Sequence, residues 1–432
     1  MTIKLSDLPL IFYQLFLRIY KTIARAISPF NPKARRWVRA QGQWKEQWQQ
    51  LLAGSPATPH QPVVWMHASS LGEFEQGAPV ANALKAQFPH IRLVITFFSP
   101  SGYEVRKNFE AATAVGYLPF DHPRHSARFV QMLQPSLVLW VKYEYWYFTL
   151  KAIQQQQVPL MLISGIFRPG QPFFKWYGGL HRQMLACFTH FFVQNDASAR
   201  LLQKLVPAEL ITTAGDTRTD RVWNIAQRWQ PIPAIENWLG QHKQVVVAGS
   251  TWPADEEELV HYFKTHPEVR LILAPHHMDA PMLQATQKLF PEANLYTQWI
   301  NNPGQAAPAQ VLIIDIIGIL AHLYNYATIA YIGGGFTGDG VHNVLEAAVY
   351  GKPIVHGPEY EKYAEAVALV ETGASWVIES ALELEAVLNK LLNNPAQTAA
   401  SGAIAARYVA THKGATAAIV QHVQENLRAT TL

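Results

Sequence analysis

Apolar residues at the front of the chain recur every three or four positions, at Leu8, Ile11, Phe12, Leu15, Phe16, Ile19, Ile23 and Ile27. That spacing is the helical period and predicts one helix with a greasy stripe. Arg18, Lys21 and Arg25 interrupt it, so it falls short of the run of about twenty apolar residues that a confident spanning helix shows. From Pro62 onward the pattern changes to short apolar runs of β type separated by helical stretches. A first series occupies 62–67, 91–98, 136–141, 159–164 and 189–194, and a second 245–248, 270–274, 311–314, 328–332 and 353–356. Such alternation predicts an α/β protein with two parallel-sheet domains. Residues 227–242, with Pro231 and Pro233, read as the join. The organisation expected is a basic helical segment over 1–48, a Rossmann-like domain over 49–222, a linker over 223–242 and a second Rossmann-like domain over 243–432.

Composition narrows the class. With 49% hydrophobic and 15% charged residues in 432, the chain is a folded protein and not a solvating polymer. One cysteine, Cys187, excludes an intramolecular disulfide framework and a cysteine-clustered metal site, and fits a reducing compartment. The net charge of +4 is mild but unevenly spread: through Lys45, Asp7 is the sole acid among nine basic residues. A basic amphipathic helix lies on an anionic bilayer surface, with Trp37, Trp44 and Trp48 as candidate interfacial anchors. Docking of that helix on the protein's own core is the plainer alternative. Basic residues gathered in such a helix, away from any aromatic stacking platform, argue against nucleic acid.

In doubly wound sheets ligands sit beyond the carboxyl ends of strands, so the residues just after each apolar run are the candidates. His67-Ala-Ser-Ser-Leu-Gly-Glu73 follows the first run. Glu73 there reads either as a general base for an attacking hydroxyl or as a carboxylate that complements a helix dipole. The densest signal is the stretch from Tyr331 through Gly333, Gly334 and Gly335 to His342-Asn343-Val-Leu-Glu346. Glycines there would expose backbone N–H groups to a phosphate at a helix start, and Asn343 and Glu346, three apart, would share a face toward ribose. Gly249-Ser250-Thr251 reads as a helix cap followed by acids. Pro275-His276-His277 invites a zinc reading, but adjacent histidines on extended chain point opposite ways and no third ligand is suitably spaced. Lys142 and Glu144 read as an ion pair or as part of an acceptor pocket.

Taken in order, these pieces, with Pro119-Phe-Asp121, Glu144-Tyr-Trp146, Gly215-Asp-Thr-Arg218-Thr-Asp220 and Gly351-Lys-Pro353, resemble the Kdo transferases over nearly the whole chain. Members of that family move 3-deoxy-manno-octulosonic acid (Kdo) from CMP-Kdo onto lipid A precursors at the cytoplasmic face of the Gram-negative inner membrane. The resemblance implies a GT-B fold, two Rossmann-like domains facing across a cleft with an N-terminal membrane helix, and an inverting transfer that needs no metal or other cofactor. It implies Glu73 as the base, and Arg218, Ser250, Thr251, His277, Gly334, Gly335, Asn343 and Glu346 on the CMP-Kdo side. Glu144, Ser164, Arg168 and Lys175 are the candidates on the acceptor side, the last two toward lipid A phosphates. Departures from the family pattern are Asp216-Thr217-Arg218, His276, Val341, Lys142 and the missing proline after Trp146. They mark a divergent branch. Two other readings use the same features: a GT-B enzyme taking a UDP-sugar, and a membrane-associated nucleotide-sugar-binding scaffold without catalysis.

Overall fold

The computed structural model describes residues 8–54, 61–142, 144–301 and 307–431, the side chains of 429–431 excepted. It divides into two compact units, one running to Asp220 and resuming at Gly414, the other Arg221–Lys413. Each is built on a seven-stranded, wholly parallel sheet.

In the first unit the strands are β1 (Val63–Ala68), β2 (Arg92–Phe97), β3 (Ala114–Tyr117), β4 (Leu137–Val141), β5 (Leu160–Gly165), β6 (His190–Val193) and β7 (Ile211–Thr213), in the order β3-β2-β1-β4-β5-β6-β7. Order reverses at β1, so the β1 and β4 ends flank the switch point where doubly wound sheets bind ligands. The five central runs anticipated from sequence are all present. They are buried on both faces, which makes them continuous apolar stretches. The edge strands β3 and β7 were not legible, because they are three or four residues long and β7 is partly exposed.

In the second unit β8 (Val245–Thr251), β9 (Arg270–Pro275), β10 (Asn294–Leu295), β11 (Val311–Ile313), β12 (Ile329–Ile332), β13 (Ile354–His356) and β14 (Ser375–Val377) take the order β10-β11-β9-β8-β12-β13-β14. Again the two edges, β10 and β14, are the strands that the apolar pattern did not reveal.

Unit boundaries differ from the expected ones at both joins. The stretch expected as a linker, 223–242, belongs to the second unit, with Ile235 and Trp238 buried in its core beside Val222, which was expected in the first domain. The expected 243–432 domain ends early, because the helix Ala415–Thr431 packs on the helix Leu71–Gln87 and puts Ile419, Val420, Val423 and Leu427 into the first unit's core.

The first helix, Leu8–Ile27, lies on the first unit through Leu10, Tyr13, Leu17 and Ala24. The Tyr13 hydroxyl donates to buried Asp121 at 2.7 Å, and Asp121 also accepts from the Phe148 and Thr149 N–H groups. All eight residues of the greasy stripe face outward, with Phe12 65% exposed. The stripe is therefore not the surface that docks on the core. Among the described residues no helix is long and apolar enough to cross a membrane.

The anticipated interfacial tryptophans are core residues. Trp37, Trp44 and Trp48 are all buried. Trp48 donates its indole N–H to the Tyr117 carbonyl at 2.8 Å, and Trp37 packs edge-on to Tyr20 and Phe98. Their helices, Pro32–Gly42 and Trp44–Ala53, turn these rings inward, Trp48 onto β3 and Trp37 among Tyr20, Phe98 and Phe120, where burial outweighs any interfacial preference.

Candidate active site

At the carboxyl end of β1 the chain enters the helix Leu71–Gln87 through Ser70, an N-cap whose hydroxyl accepts from the Glu73 N–H at 3.4 Å. The Glu73 carboxylate folds back and accepts from the Ser69 N–H at 2.6 Å. The capping reading is thus literally true of Glu73, yet it leaves the carboxylate half-buried in a first turn. Burial, helped by the neighbouring Glu144 charge, pushes its pKa up to about 7 against the pull of the Ser69 N–H and Lys142. A carboxyl poised there is matched to taking a proton near neutrality.

Glu144, just past β4, joins the same cluster. Burial raises its pKa, and the Ser69 hydroxyl, donating at 2.5 Å, opposes that rise. Ser69 therefore holds both carboxylates, one with its N–H and one with its hydroxyl. Behind it His67 is fully buried and kept neutral, its pKa lowered to about 3 by desolvation. Its Nδ1 meets the Thr96 hydroxyl at 2.9 Å, Nε2 lies 3.4 Å from Ser69 Oγ, and the ring packs on Trp140. Trp65 donates to the same Thr96 oxygen at 2.8 Å. Both ring nitrogens have a hydroxyl partner, Thr96 at Nδ1 and Ser69 at Nε2, and the Ser69 hydroxyl, its proton given to Glu144, has only acceptor capacity left for Nε2. Sequence reasoning missed Ser69; its signal was a hydroxyl just past a strand end, four residues before Glu73.

Other first-unit candidates fall differently. Ser164 is buried, with a left-handed φ of 54° and its hydroxyl 3.1 Å from that of Thr217, so its place is structural and not on an acceptor surface. Arg168 is exposed and Lys175 half-exposed on the segment after β5. Arg218 grips Asp216 at 2.8 and 2.6 Å. Burial alone would raise Asp216, but the guanidinium outweighs it and holds the carboxyl below its usual range. The cation expected to meet an anion arrives already paired.

In the second unit the glycine-rich turn after β12 is a packing device as much as a binding loop. A Cβ on Gly333 would collide with the Ser250 carbonyl, and one on Gly335 would lie 2.6 Å from Gly357 Cα. The expected row of open N–H groups is largely spent internally: Gly333 donates to Gly249 at 2.9 Å, Gly334 to Asp255 at 2.8 Å and His342 to Gly333 at 3.0 Å. The following helix, Leu345–Ala348, is a single turn, too short to add much dipole. Buried Asp255 organises the turn, accepting also from the Trp252 N–H and the Tyr331 hydroxyl, each at 2.9 Å.

Asn343 and Glu346 do come together, the Asn343 amide donating to the Glu346 carboxylate at 3.2 Å. Arg221, not anticipated, stands 3.9 Å from that carboxylate. Ser250 is strained at φ 55°, and Thr251 is buried with its hydroxyl on Glu256 at 2.9 Å. His276 and His277 lie past the end of β9, and both rings touch Trp252. His276 stacks on His342 at 4.4 Å between centroids, and Trp252 Nε1–H donates to His342 Nε2 at 3.0 Å. Burial, then the neighbouring His276, lowers His342 to about 4. An indole plane beside three imidazoles suits a base and a phosphate together. Among the described residues no group of three or more His, Cys, Asp or Glu is placed to hold a metal.

Comparison with known proteins shows what the chain is similar to. Residues 43–221 match the family model of 3-deoxy-D-manno-octulosonic-acid transferase (kdotransferase). The chain is 28% identical over 405 residues to the 3-deoxy-D-manno-octulosonic acid transferase of Bordetella pertussis, covering 88% of this chain and 92% of that protein. It is 25% identical over 336 residues to the enzyme of the same name from Aquifex aeolicus, covering 76% and 86%. Its fold is similar to that of the UDP-GlcNAc 2-epimerase of Neisseria meningitidis bound to UDP-GlcNAc, with TM-score 0.59 and 14% identity over 85% of this chain and 100% of that one. MurG of Acinetobacter baumannii is similar at TM-score 0.51 and 15% identity, over 84% and 99%. Those folds are GT-B. Over 43–221 the chain matches the Kdo transferase family model, and along most of its length it is similar to relatives of that one name.

Proposed function

We propose that this glycosyltransferase moves Kdo from CMP-Kdo to a lipid A precursor with inversion at the anomeric carbon, and that Glu73 is its general base. The observation that carries the reading is the carboxyl of Glu73, aimed by the Ser69 N–H at the end of β1 and raised to about 7 by burial. Glu73 takes the proton of the attacking sugar hydroxyl as the bond from the anomeric carbon to the CMP phosphate breaks and the new glycosidic bond forms. CMP leaves with the electron pair.

The second unit is the donor side in this reading. Trp252 and His342 offer a flat face for the base, His277 and the Nδ1–H of His342 are the donors for phosphate because the Trp252 indole N–H is spent on His342 Nε2, and Glu346, steadied by Asn343, accepts from ribose hydroxyls. Glu144 orients the acceptor, and Arg168 and Lys175 meet its phosphates, where charge-assisted pairs are strongest. The outward greasy stripe and the cations Arg18, Lys21 and Arg25 seat the chain peripherally on the cytoplasmic face of the inner membrane.

Donor identity is tested by thermal protection. CMP at a hundred times its dissociation constant should stabilise the protein by about 2.7 kcal/mol, whereas UDP at equal concentration should do far less. Equal protection by UDP would favour a UDP-sugar enzyme.

A further inference from the structure

The surface that carries the greasy stripe has a second component. Residues 8–45 contain no acid, and neither do residues 145–195. These two stretches meet in the first unit. Leu10 and Tyr13 pack against the core cluster that contains Phe173 and Leu180. The Tyr13 ring lies 6.2 Å from that of Tyr147, and the Tyr147 hydroxyl donates to Gln183 of the helix Gly179–Leu185 at 3.3 Å. That helix packs on the first helix and fixes the loop before it: Arg182 donates to the Phe173 and Lys175 carbonyls at 3.0 and 2.9 Å. Phe173, in the 3₁₀ turn Pro172–Phe174, is buried.

On this tethered loop the next two side chains stand clear of the protein. Trp176 is 92% exposed and Tyr177 54% exposed, their rings edge-on at 5.6 Å. An indole held out on a fixed, cation-flanked loop beside an outward apolar helix suits the headgroup level of a bilayer, where Trp and Tyr are enriched. Lys175 and Arg182 supply the attraction to anionic lipid and no acid in the stretch opposes it.

We propose that Trp176 and Tyr177 form a second membrane-inserting point which, together with the first helix, seats the N-terminal unit on an anionic lipid surface. The proposal rests on the reading that the first helix itself binds lipid. Two points of insertion resist rotation about the helix axis and add their binding free energies, as paired membrane signals do.

The test is co-sedimentation of the full chain with vesicles of phosphatidylethanolamine and phosphatidylglycerol. It compares the parent, the pair Trp176→Ser with Tyr177→Ser, and the pair Phe12→Ser with Phe16→Ser. Each pair should weaken partitioning about tenfold or more, which is about 1.4 kcal/mol per decade, and the loop pair should leave the melting temperature unchanged. Brominated lipid should quench part of the parent's fluorescence, and Trp176→Phe should remove that part. Parent-like binding by the loop pair, with binding lost in the helix pair, overturns the second point and leaves the helix reading intact; parent-like binding by both pairs overturns both. A parent dimer in sedimentation velocity that the loop pair dissociates, with vesicle binding unchanged, would assign these rings to a second copy of the chain and overturn the proposal. Absence of quenching attributable to Trp176 would overturn it whatever the double variant does.

Discussion

Three side chains form the carboxylate cluster on which the proposed reaction of the first unit rests: Glu73, Glu144 and the Ser69 that holds both. Glu73 works as a base only when ionised, and its pKa is raised to about 7. Below that pH it is protonated and idle, so kcat/KM should rise with pH through about 7 and flatten above it. Burial is the larger cause of the shift and the Glu144 charge a smaller one. Glu144→Gln should therefore move the acid limb toward lower pH, yet leave it above the ordinary glutamate value of 4.5. A limb that stays in place would detach the two carboxylates from one another. Ser69→Ala removes the hydroxyl that favours ionised Glu144, so Glu144 should titrate later and Glu73 earlier, again an acidward limb. A serine that merely packs would lower activity without moving the profile. Of this site Glu73 was legible in sequence, because a carboxylate two residues into a helix after a strand is a local pattern. The tether to Glu144 was not, since it joins positions 75 residues apart through a sheet register. The glycine loop misled for a related reason: glycines permit close backbone packing as readily as they expose N–H groups, and Asp255 and the Gly249 carbonyl had claimed them.

At the level of elements, the tryptophans separate what amphipathic pattern can and cannot tell. Trp48 and Trp176 look alike as letters near basic residues, but one is fully buried beneath the sheet edge and the other projects into solvent. Trp48→Ala should cost about 3–5 kcal/mol, as large aromatic truncations in cores do, read as a lowered denaturation midpoint. Trp176→Ala should change stability by less than about 0.5 kcal/mol. Similar losses for the two would contradict the assignment. Periodicity found the first helix and which of its residues form the greasy stripe, and left a bilayer-facing stripe and a core-docked one as alternatives; the stripe faces outward, and Leu10, Tyr13 and Leu17, which lie off it, do the docking. It found every central strand, because those are buried on both faces, and missed all four edge strands, whose residues need no continuous apolar run.

For the whole molecule, the order of the chain is not the order of the units. The last helix returns to the first unit, and the buried carboxylate of Asp220 accepts the Gly414 and Thr416 N–H groups at 2.6 Å each where the chain crosses back. No local signal announces such a return, which is why the sequence pattern runs the second domain on to the C-terminus. Ending the chain at Lys413 would strip Ile419, Val420, Val423 and Leu427 from the first unit's core, at about 1.5–3 kcal/mol each. The truncated protein should then be proteolysed fastest within the first unit; digestion confined to the second would contradict this packing. The claim on which everything else depends is the reaction. The most direct measurement mixes purified protein with CMP-Kdo and a tetra-acylated lipid A precursor, then reads CMP release and product mass, with Glu73→Ala alongside. A lipid heavier by one or more Kdo residues, formed by the parent and absent with Glu73→Ala although CMP-Kdo still binds, is the predicted result. Undiminished transfer by Glu73→Ala, or no product from a parent that binds CMP-Kdo, would contradict it.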